Sequence, residues 1–89
     1  ILCRYGGEEF LIGLPHTDTE EAHAIMDRVR EDFAQICHPY RDTHFLASIS
    51  GGIATYPLHP SGDTLIKAAD EALYQAKRAG RNRVLSCDE

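Results

Sequence analysis

A short turn of glycines and acids near the start of the chain constrains the fold most. Residues 4–10 read Arg-Tyr-Gly-Gly-Glu-Glu-Phe and lie between two apolar stretches, 1–3 and 10–12. Because glycine accepts positive φ and an interrupted apolar run turns back on itself, this pattern predicts a β-hairpin with Gly6 and Gly7 at its turn. Glu8 and Glu9 then begin the returning strand, where successive side chains point to opposite faces.

Two adjacent carboxylates beside an open glycine turn favour one kind of chemistry. Mg²⁺ is usually held by one or two carboxylates together with substrate phosphates, and glycines let a ligand approach the backbone closely. An ordinary solvated hairpin explains the same residues, because a lone short motif is weak evidence. The spacing alone leaves both interpretations open.

The middle of the chain predicts a helix followed by a strand. Thr17 and Glu20 have capping-box spacing, which predicts a helix that starts near Asp18, and residues 38–42 form a polar connection. Residues 45–54 alternate and predict one strand, in which Gly51-Gly52 indicates a bulge or the close approach of another backbone or a ligand. The apolar stripe that should pack the helix on the sheet is Ala22, Ile25, Met26, Val29, Phe33 and Ile36.

A second, alanine-rich helix follows, capped by Ser61 or Asp63 and ended by Gly80. Lys77, Arg78 and Arg81 cluster around its end. Cations there are favourable because they oppose the negative end of the helix dipole, but they also suit the binding of phosphates. The residues do not distinguish these two roles. Its apolar stripe is Leu65, Ala68, Ala69, Ala72, Leu73 and Ala76.

Composition excludes several classes of protein. The 89 residues carry 9 basic and 14 acidic side chains, a net charge of −5, so no general basic field for DNA or RNA exists. Three widely spaced cysteines argue against a disulfide framework and for a reducing, cytoplasmic compartment, as buried or incidental thiols. The histidines lack zinc-ligand spacing, and no stretch is long and apolar enough to span or contact a membrane. The cysteines are Cys3, Cys37 and Cys87.

Two separate motifs resemble one family. The Arg-Tyr-Gly-Gly-Glu-Glu-Phe segment is similar to the signature of GGDEF diguanylate cyclases in its GGEEF form, and residues 69–84 resemble the closing helix and strand of that family. Residues 48–54 are similar to its penultimate core strand. The resemblance runs from about Cys3 to Val84. It implies an α+β, palm-like nucleotidyl cyclase fold, an antiparallel-containing sheet covered by helices.

The resemblance also implies an activity. The chain would be the C-terminal portion of a single GGDEF domain, residues 1–89, in a bacterial signalling protein that condenses two GTP molecules to cyclic di-GMP and releases pyrophosphate. Such a nucleotidyltransferase works as a homodimer with Mg²⁺ or Mn²⁺. The family's first half, with a metal aspartate and guanine contacts, would precede Ile1, so we expect this segment alone to be inactive. The parent protein could be membrane-anchored.

The resemblance implies roles for the residues of this chain that match the family's motifs. Glu8 and Glu9 match the catalytic and metal-binding acids, while Gly6 and Gly7 match the floor beneath the nucleotide. Lys77 and Arg81 match residues that contact the triphosphate. Arg28 resembles an accessory contact of an inhibitory cyclic di-GMP site, with a solvated helix charge as the alternative. The competing functional class is a non-catalytic GGDEF-like module that binds nucleotide or a partner domain.

Overall fold

The computed structural model describes residues 2–6, 9–56, 58–59 and 61–87. Within these ranges, two helices and six strands follow one another in the order β1, β2, α1, β3, β4, β5, α2, β6. Neither helix in the described residues has the length and hydropathy that crossing a membrane requires. The strands are β1 Leu2–Gly6, β2 Glu9–Ile12, β3 Cys37–Tyr40, β4 Thr43–Leu46, β5 Gly51–Ile53 and β6 Val84–Ser86, and the helices are α1 Thr19–Ala34 and α2 Gly62–Arg78.

The strands form three two-stranded sheets in an α+β arrangement, as predicted. β1 and β2 are antiparallel, with Gly6 opposite Glu9 and a register shift between Arg4 and Gly6. β3 and β4 form a second antiparallel hairpin. β5 and β6 are parallel, which requires a crossover, and α2 supplies it. The predicted hairpin at the signature is therefore confirmed for its described residues.

The first helix begins one residue later than the capping-box pattern predicts. Asp18 is the N-cap, and its carboxylate accepts a hydrogen bond from the Glu21 N–H at 2.8 Å. Thr17 instead donates its hydroxyl to the carbonyl of Pro15 at 2.9 Å. The predicted Thr17 cap is wrong because Asp18, an equally good cap, lies at the position from which its side chain reaches the free N–H of the first turn.

Two predictions for residues 38–54 are also wrong. The stretch expected to be a polar connection lies largely in β3, which pairs with β4 through a turn that contains Arg41 at φ 56. The single strand expected over 45–54 is divided into the end of β4 and the short β5, separated by residues 47–50. The first part of the alternating stretch pairs with β3 as strand β4, whereas the second part forms β5, which packs against α2.

The Gly51-Gly52 pair has a structural cause. A Cβ on Gly52 would collide with the carbonyl oxygen of Ala69 and the amide nitrogen of Leu73, both in the backbone of α2. Close approach of another backbone was one of the expected explanations, and this contact supplies it. The approach is possible because α2 turns small residues towards the sheet: Ala68, Ala72 and Ala76 are buried.

The core lies where both helices meet the β5–β6 pair. Ala22, Ile53 and Val84 form a buried cluster, with Leu14 and Met26 packed against it. The predicted stripe of α1 is only partly in this core, because the helix contacts the sheet along one edge. Three of its predicted core residues are exposed instead: Ile25, Val29 and, beyond the helix, Ile36.

Candidate functional site

One ion pair joins the two ends of the chain. The Nζ of Lys77, in the last turn of α2, lies 3.3 Å from Oε2 of Glu9, at the start of β2. The two residues are 68 positions apart in sequence. Their side chains are 30% and 39% exposed, so the pair is open to solvent and accessible to a ligand. The structure thus brings together one predicted acid and one predicted phosphate-binding cation.

The remaining signature residues are only partly described. Gly6 ends β1 and pairs with Glu9 across the hairpin. Gly7 and Glu8 lie outside the described residues, so their predicted roles in the nucleotide floor and the metal site stay predictions. Sequence alternation left the direction of Glu9 open, whereas the structure directs its carboxylate towards the end of α2.

The end of α2 is closed by backbone hydrogen bonds. The N–H of Gly80 donates to the carbonyl of Lys77 at 3.4 Å, and the N–H of Arg81 donates to that of Ala76 at 3.0 Å. This is a Schellman motif, in which glycine at positive φ satisfies carbonyls of the last turn. Gly80 has φ 122, as the predicted helix stop requires. The backbone thus satisfies two of these carbonyls, while the Lys77 ammonium contacts Glu9.

Arg81 lies in an unusual turn directly after this motif. Arg81 has φ 63 and Asn82 has φ 49, so two successive non-glycine residues occupy the left-handed region. That conformation costs of the order of 1 kcal/mol for each residue and persists only where the surroundings hold it. Arg81 itself is exposed. The turn therefore presents a guanidinium to solvent four residues beyond Lys77.

Asn82 and Arg30, which had no predicted role, help to hold this turn. Asn82 donates its N–H to the hydroxyl of Ser50 at 3.1 Å and accepts a hydrogen bond from Nη1 of Arg30 at 3.0 Å. Arg30 also donates Nε to Asp27 at 2.8 Å, and this hydrogen bond lowers the pKa of the Asp27 carboxyl. The signal in sequence was the Asn82 position inside the matched C-terminal segment, whereas nothing in the helical pattern singled out Arg30.

Arg28 lies on the solvent side of α1, where its interpretation stays open. Its side chain is 78% exposed, and Nε lies 3.5 Å from Asp32 one turn later. Such exposed pairs contribute about 0–1 kcal/mol, so an anionic ligand could replace Asp32 at little cost. A solvated helix charge explains the same geometry.

Among the described residues, the cysteines and histidines form no cluster with enough ligands for zinc. Within the described residues, no group of three or more His, Cys, Asp or Glu side chains gathers around one point. His59 Nε2 does lie 3.1 Å from Sγ of Cys87, a pairing that sequence spacing did not indicate. Cys37 is exposed and Cys87 is half-buried, and both are reduced thiols, so of the two expectations, buried or incidental thiols, the second describes them.

The family model for the diguanylate cyclase GGDEF domain matches residues 1–83. The chain belongs to the GGDEF family. Among curated relatives, it is 42% identical to diguanylate cyclase DosC of Escherichia coli K12 over 82 residues, 91% of this chain and 18% of that protein. It is 35% identical to diguanylate cyclase DgcP of Pseudomonas aeruginosa over 83 residues, 93% of this chain and 12% of that protein.

The fold agrees with that of a solved GGDEF domain. The GGDEF domain of DgcB from Caulobacter crescentus, in complex with c-di-GMP, superposes with a TM-score of 0.80 at 28% identity. The match covers 99% of this GGDEF chain and 53% of the solved one. The chain therefore spans about half of that structure and less than a fifth of the two curated relatives. The predicted family and the predicted α+β fold are confirmed.

Proposed function

We propose that residues 1–89 are the C-terminal portion of a single GGDEF domain in a diguanylate cyclase. The complete protein would condense two GTP molecules to cyclic di-GMP and release pyrophosphate. One observation carries the proposal: the 3.3 Å contact between Lys77 and Glu9 brings the signature hairpin to the end of α2. An anionic ligand with a bound cation needs this combination, because the cation takes carboxylate oxygens and the phosphates take ammonium and guanidinium groups.

The proposed roles follow from the chemistry of each side chain. Lys77 acts as a point charge on the triphosphate, and Arg81 offers a planar fork of donors to its oxygens. Gly6 and Gly7 form the floor under the nucleotide, where the absence of a Cβ permits close approach. The cyclic di-GMP bound to the related DgcB domain supports a guanine nucleotide as the ligand class.

A divalent cation fits the donor set at the hairpin. Glu9 supplies a carboxylate that is 39% exposed, and Mg²⁺ or Mn²⁺ prefers such oxygen ligands. Glu8 and Glu9 would hold the ion, which when bound neutralises charge on the phosphates. Lys77, which contacts Glu9 in this structure, would bind the phosphates beside that ion.

The reaction itself needs two facing sites. Each domain of a homodimer would hold one GTP, and each 3′-hydroxyl would attack the α-phosphate of the other nucleotide. Glu8 is our candidate for accepting the hydroxyl proton. Most of the rate enhancement in such phosphate transfers comes from positioning and electrostatic stabilisation. Arg28 is proposed as a secondary contact for bound cyclic di-GMP, because its exposed guanidinium suits a phosphate diester.

The proposal is tested by Glu8→Gln in a protein that contains the complete domain. The substitution keeps size and hydrogen bonding but removes the charge, so turnover of GTP with Mg²⁺ to cyclic di-GMP, measured by chromatography, should be lost. Melting curves should change little. Glu71→Gln, an exposed acid on α2, is the matched control and should leave turnover unchanged.

Two outcomes would contradict parts of this function. Turnover of Glu8→Gln within tenfold of the parent, a barrier change below about 1.4 kcal/mol, would show that Glu8 is neither a principal metal ligand nor the base. A parent domain that binds GTP tightly without forming product would show the non-catalytic module instead.

A further inference from the structure

Arg30 differs from the other described arginine of α1 in its surroundings. Its side chain is 18% exposed, whereas that of Arg28, two residues earlier, is 78% exposed. Burying part of a guanidinium is unfavourable unless its partners satisfy it, and Arg30 has two hydrogen-bond acceptors and one further carboxylate partner. Nε donates to Asp27 at 2.8 Å, Nη1 donates to Asn82 at 3.0 Å, and Nη2 lies 3.5 Å from a carboxylate oxygen of Glu31.

Two of these partners are local and one is distant. Asp27 and Glu31 belong to α1 itself, so they fix the direction of the guanidinium on the helix. Asn82 lies 52 residues away in the turn after α2. Arg30 therefore acts as a rigid donor, anchored on one helix, that reaches the turn which follows the other helix.

The turn needs such an external contact. Gly80, Arg81 and Asn82 all have positive φ, a run that non-glycine residues do not adopt without support. The Schellman hydrogen bonds hold the turn at Gly80 and Arg81, and Ser50 accepts the N–H of Asn82. The hydrogen bond from Arg30 fixes the Asn82 side chain. The backbone of Arg81 is thereby held from both sides.

We propose that Arg30 is a positioning residue for phosphate recognition, holding the 80–82 turn so that Arg81 is directed towards the triphosphate. The inference rests on the proposed function, since it assigns Arg30 a role through Arg81. Lysine could not replace it, because one ammonium does not present three donors in a fixed plane.

The test is a kinetic double-mutant cycle in the complete domain with GTP and Mg²⁺. Arg30→Gln should raise KM for GTP about tenfold, the scale of a lost hydrogen bond to a charged group, with kcat changed much less. Arg81→Gln should raise KM similarly. The double variant should be little worse than Arg81→Gln alone, because both substitutions remove the same phosphate contact. Arg30→Lys should resemble Arg30→Gln.

Further variants keep the test decisive. Asn82→Gly removes the acceptor but tolerates positive φ, so it should reproduce the KM effect even if Arg30→Gln fails to fold. Lys67→Gln removes one exposed cation of α2 and should leave KM unchanged. Amide exchange at Arg81 and Asn82 should accelerate in Arg30→Gln, with the amides of Ala72 and Ala76 unaffected.

The possible failures are distinguishable. An unchanged KM in Arg30→Gln beside a raised KM in Arg81→Gln overturns the positioning role alone. Fully additive effects in the double variant overturn it too, because Arg30 would then act independently of Arg81. An unchanged KM in Arg81→Gln contradicts the proposed function at Arg81, and the positioning role falls with it.

Discussion

Two regions supply the candidate site, and they are held in different ways. The packed unit, formed by β5, α2 and β6, contains six buried residues. The signature hairpin, formed by β1 and β2, exposes its apolar side chains at Phe10 (63%) and Ile12 (42%). In the packed unit Ala68, Ala72, Ala76, Val84 and Ser86 are at most 8% exposed, and Ile53 of β5 adds to the same core.

The proposed phosphate-binding cations and the proposed metal-binding acid are positioned by different regions. Of the two cations proposed to bind phosphate, Lys77 lies in the last turn of α2 and Arg81 lies three residues beyond that helix. Core packing and the Schellman motif therefore set their positions. The acid Glu9 is set by pairing of β1 with β2 and by its contact with Lys77. Substitutions at the buried positions of the packed unit should therefore change global stability, whereas substitutions in the signature hairpin should mainly change the local site.

The largest expected effect is at Gly52. Gly52→Ala would place a Cβ against the backbone of α2, 2.9 Å from Cα of Leu73 and closer still to two other backbone atoms. Backbone atoms cannot move aside as a flexible side chain can, so we expect a loss of about 3 kcal/mol or more in the free energy of unfolding. Chemical denaturation followed by circular dichroism measures it.

Two other glycines, Gly51 and Gly62, provide controls for this prediction. A Cβ on Gly51 would meet only the Val84 side chain, at 3.3 Å, and one on Gly62 would meet open space. Gly51→Ala should therefore cost less, and Gly62→Ala should be neutral or stabilising by at most about 1 kcal/mol. A Gly52→Ala protein as stable as Gly62→Ala would contradict the proposed difference between the two regions.

The intermediate effect concerns ligand affinity at the edge of the packed unit. Lys77→Met and Arg81→Gln in the complete domain should each weaken GTP binding about tenfold while changing thermal stability little, since cations at a helix terminus contribute only about 0.3–1 kcal/mol. Calorimetric titration beside melting curves separates the two roles. Unchanged affinity with lowered stability would show that both residues only stabilise the helix end.

Several patterns that act locally were predicted correctly from sequence, although the Thr17 cap of α1 was not. The Gly80 stop is confirmed, and Ser61, one of the two expected caps, is the N-cap of α2, because capping depends on a few adjacent residues. The stripe of α2 is confirmed in part: its alanines 68, 72 and 76 are buried, because small residues at helical spacing pack closely against a sheet, whereas the other three members are half-buried. The family, too, was identified from two short motifs.

Features that depend on distant partners were missed. The division of residues 45–54 between β4 and β5 depends on pairing with β3 and packing under α2, which periodicity does not show. The exposure of Ile25 and Val29 depends on which edge of α1 contacts the sheet. The sequence pattern did not distinguish Arg30 from other charged residues of α1, because its partner Asn82 is 52 positions away.

The smallest expected effect is the coupling between Lys77 and Glu9, the ion pair that joins the two regions. A double-mutant cycle of Lys77→Met and Glu9→Gln, measured by chemical denaturation, should give a coupling free energy of a few tenths to about 1 kcal/mol, because both groups remain partly exposed. Added salt should reduce it, since screening weakens exposed pairs. The Arg28–Asp32 pair, 78% and 67% exposed, is the matched control and should couple no more strongly. A coupling well above 2 kcal/mol would mean that the signature hairpin depends on Lys77 for its position. The packed unit and the signature hairpin would then not be held independently of each other.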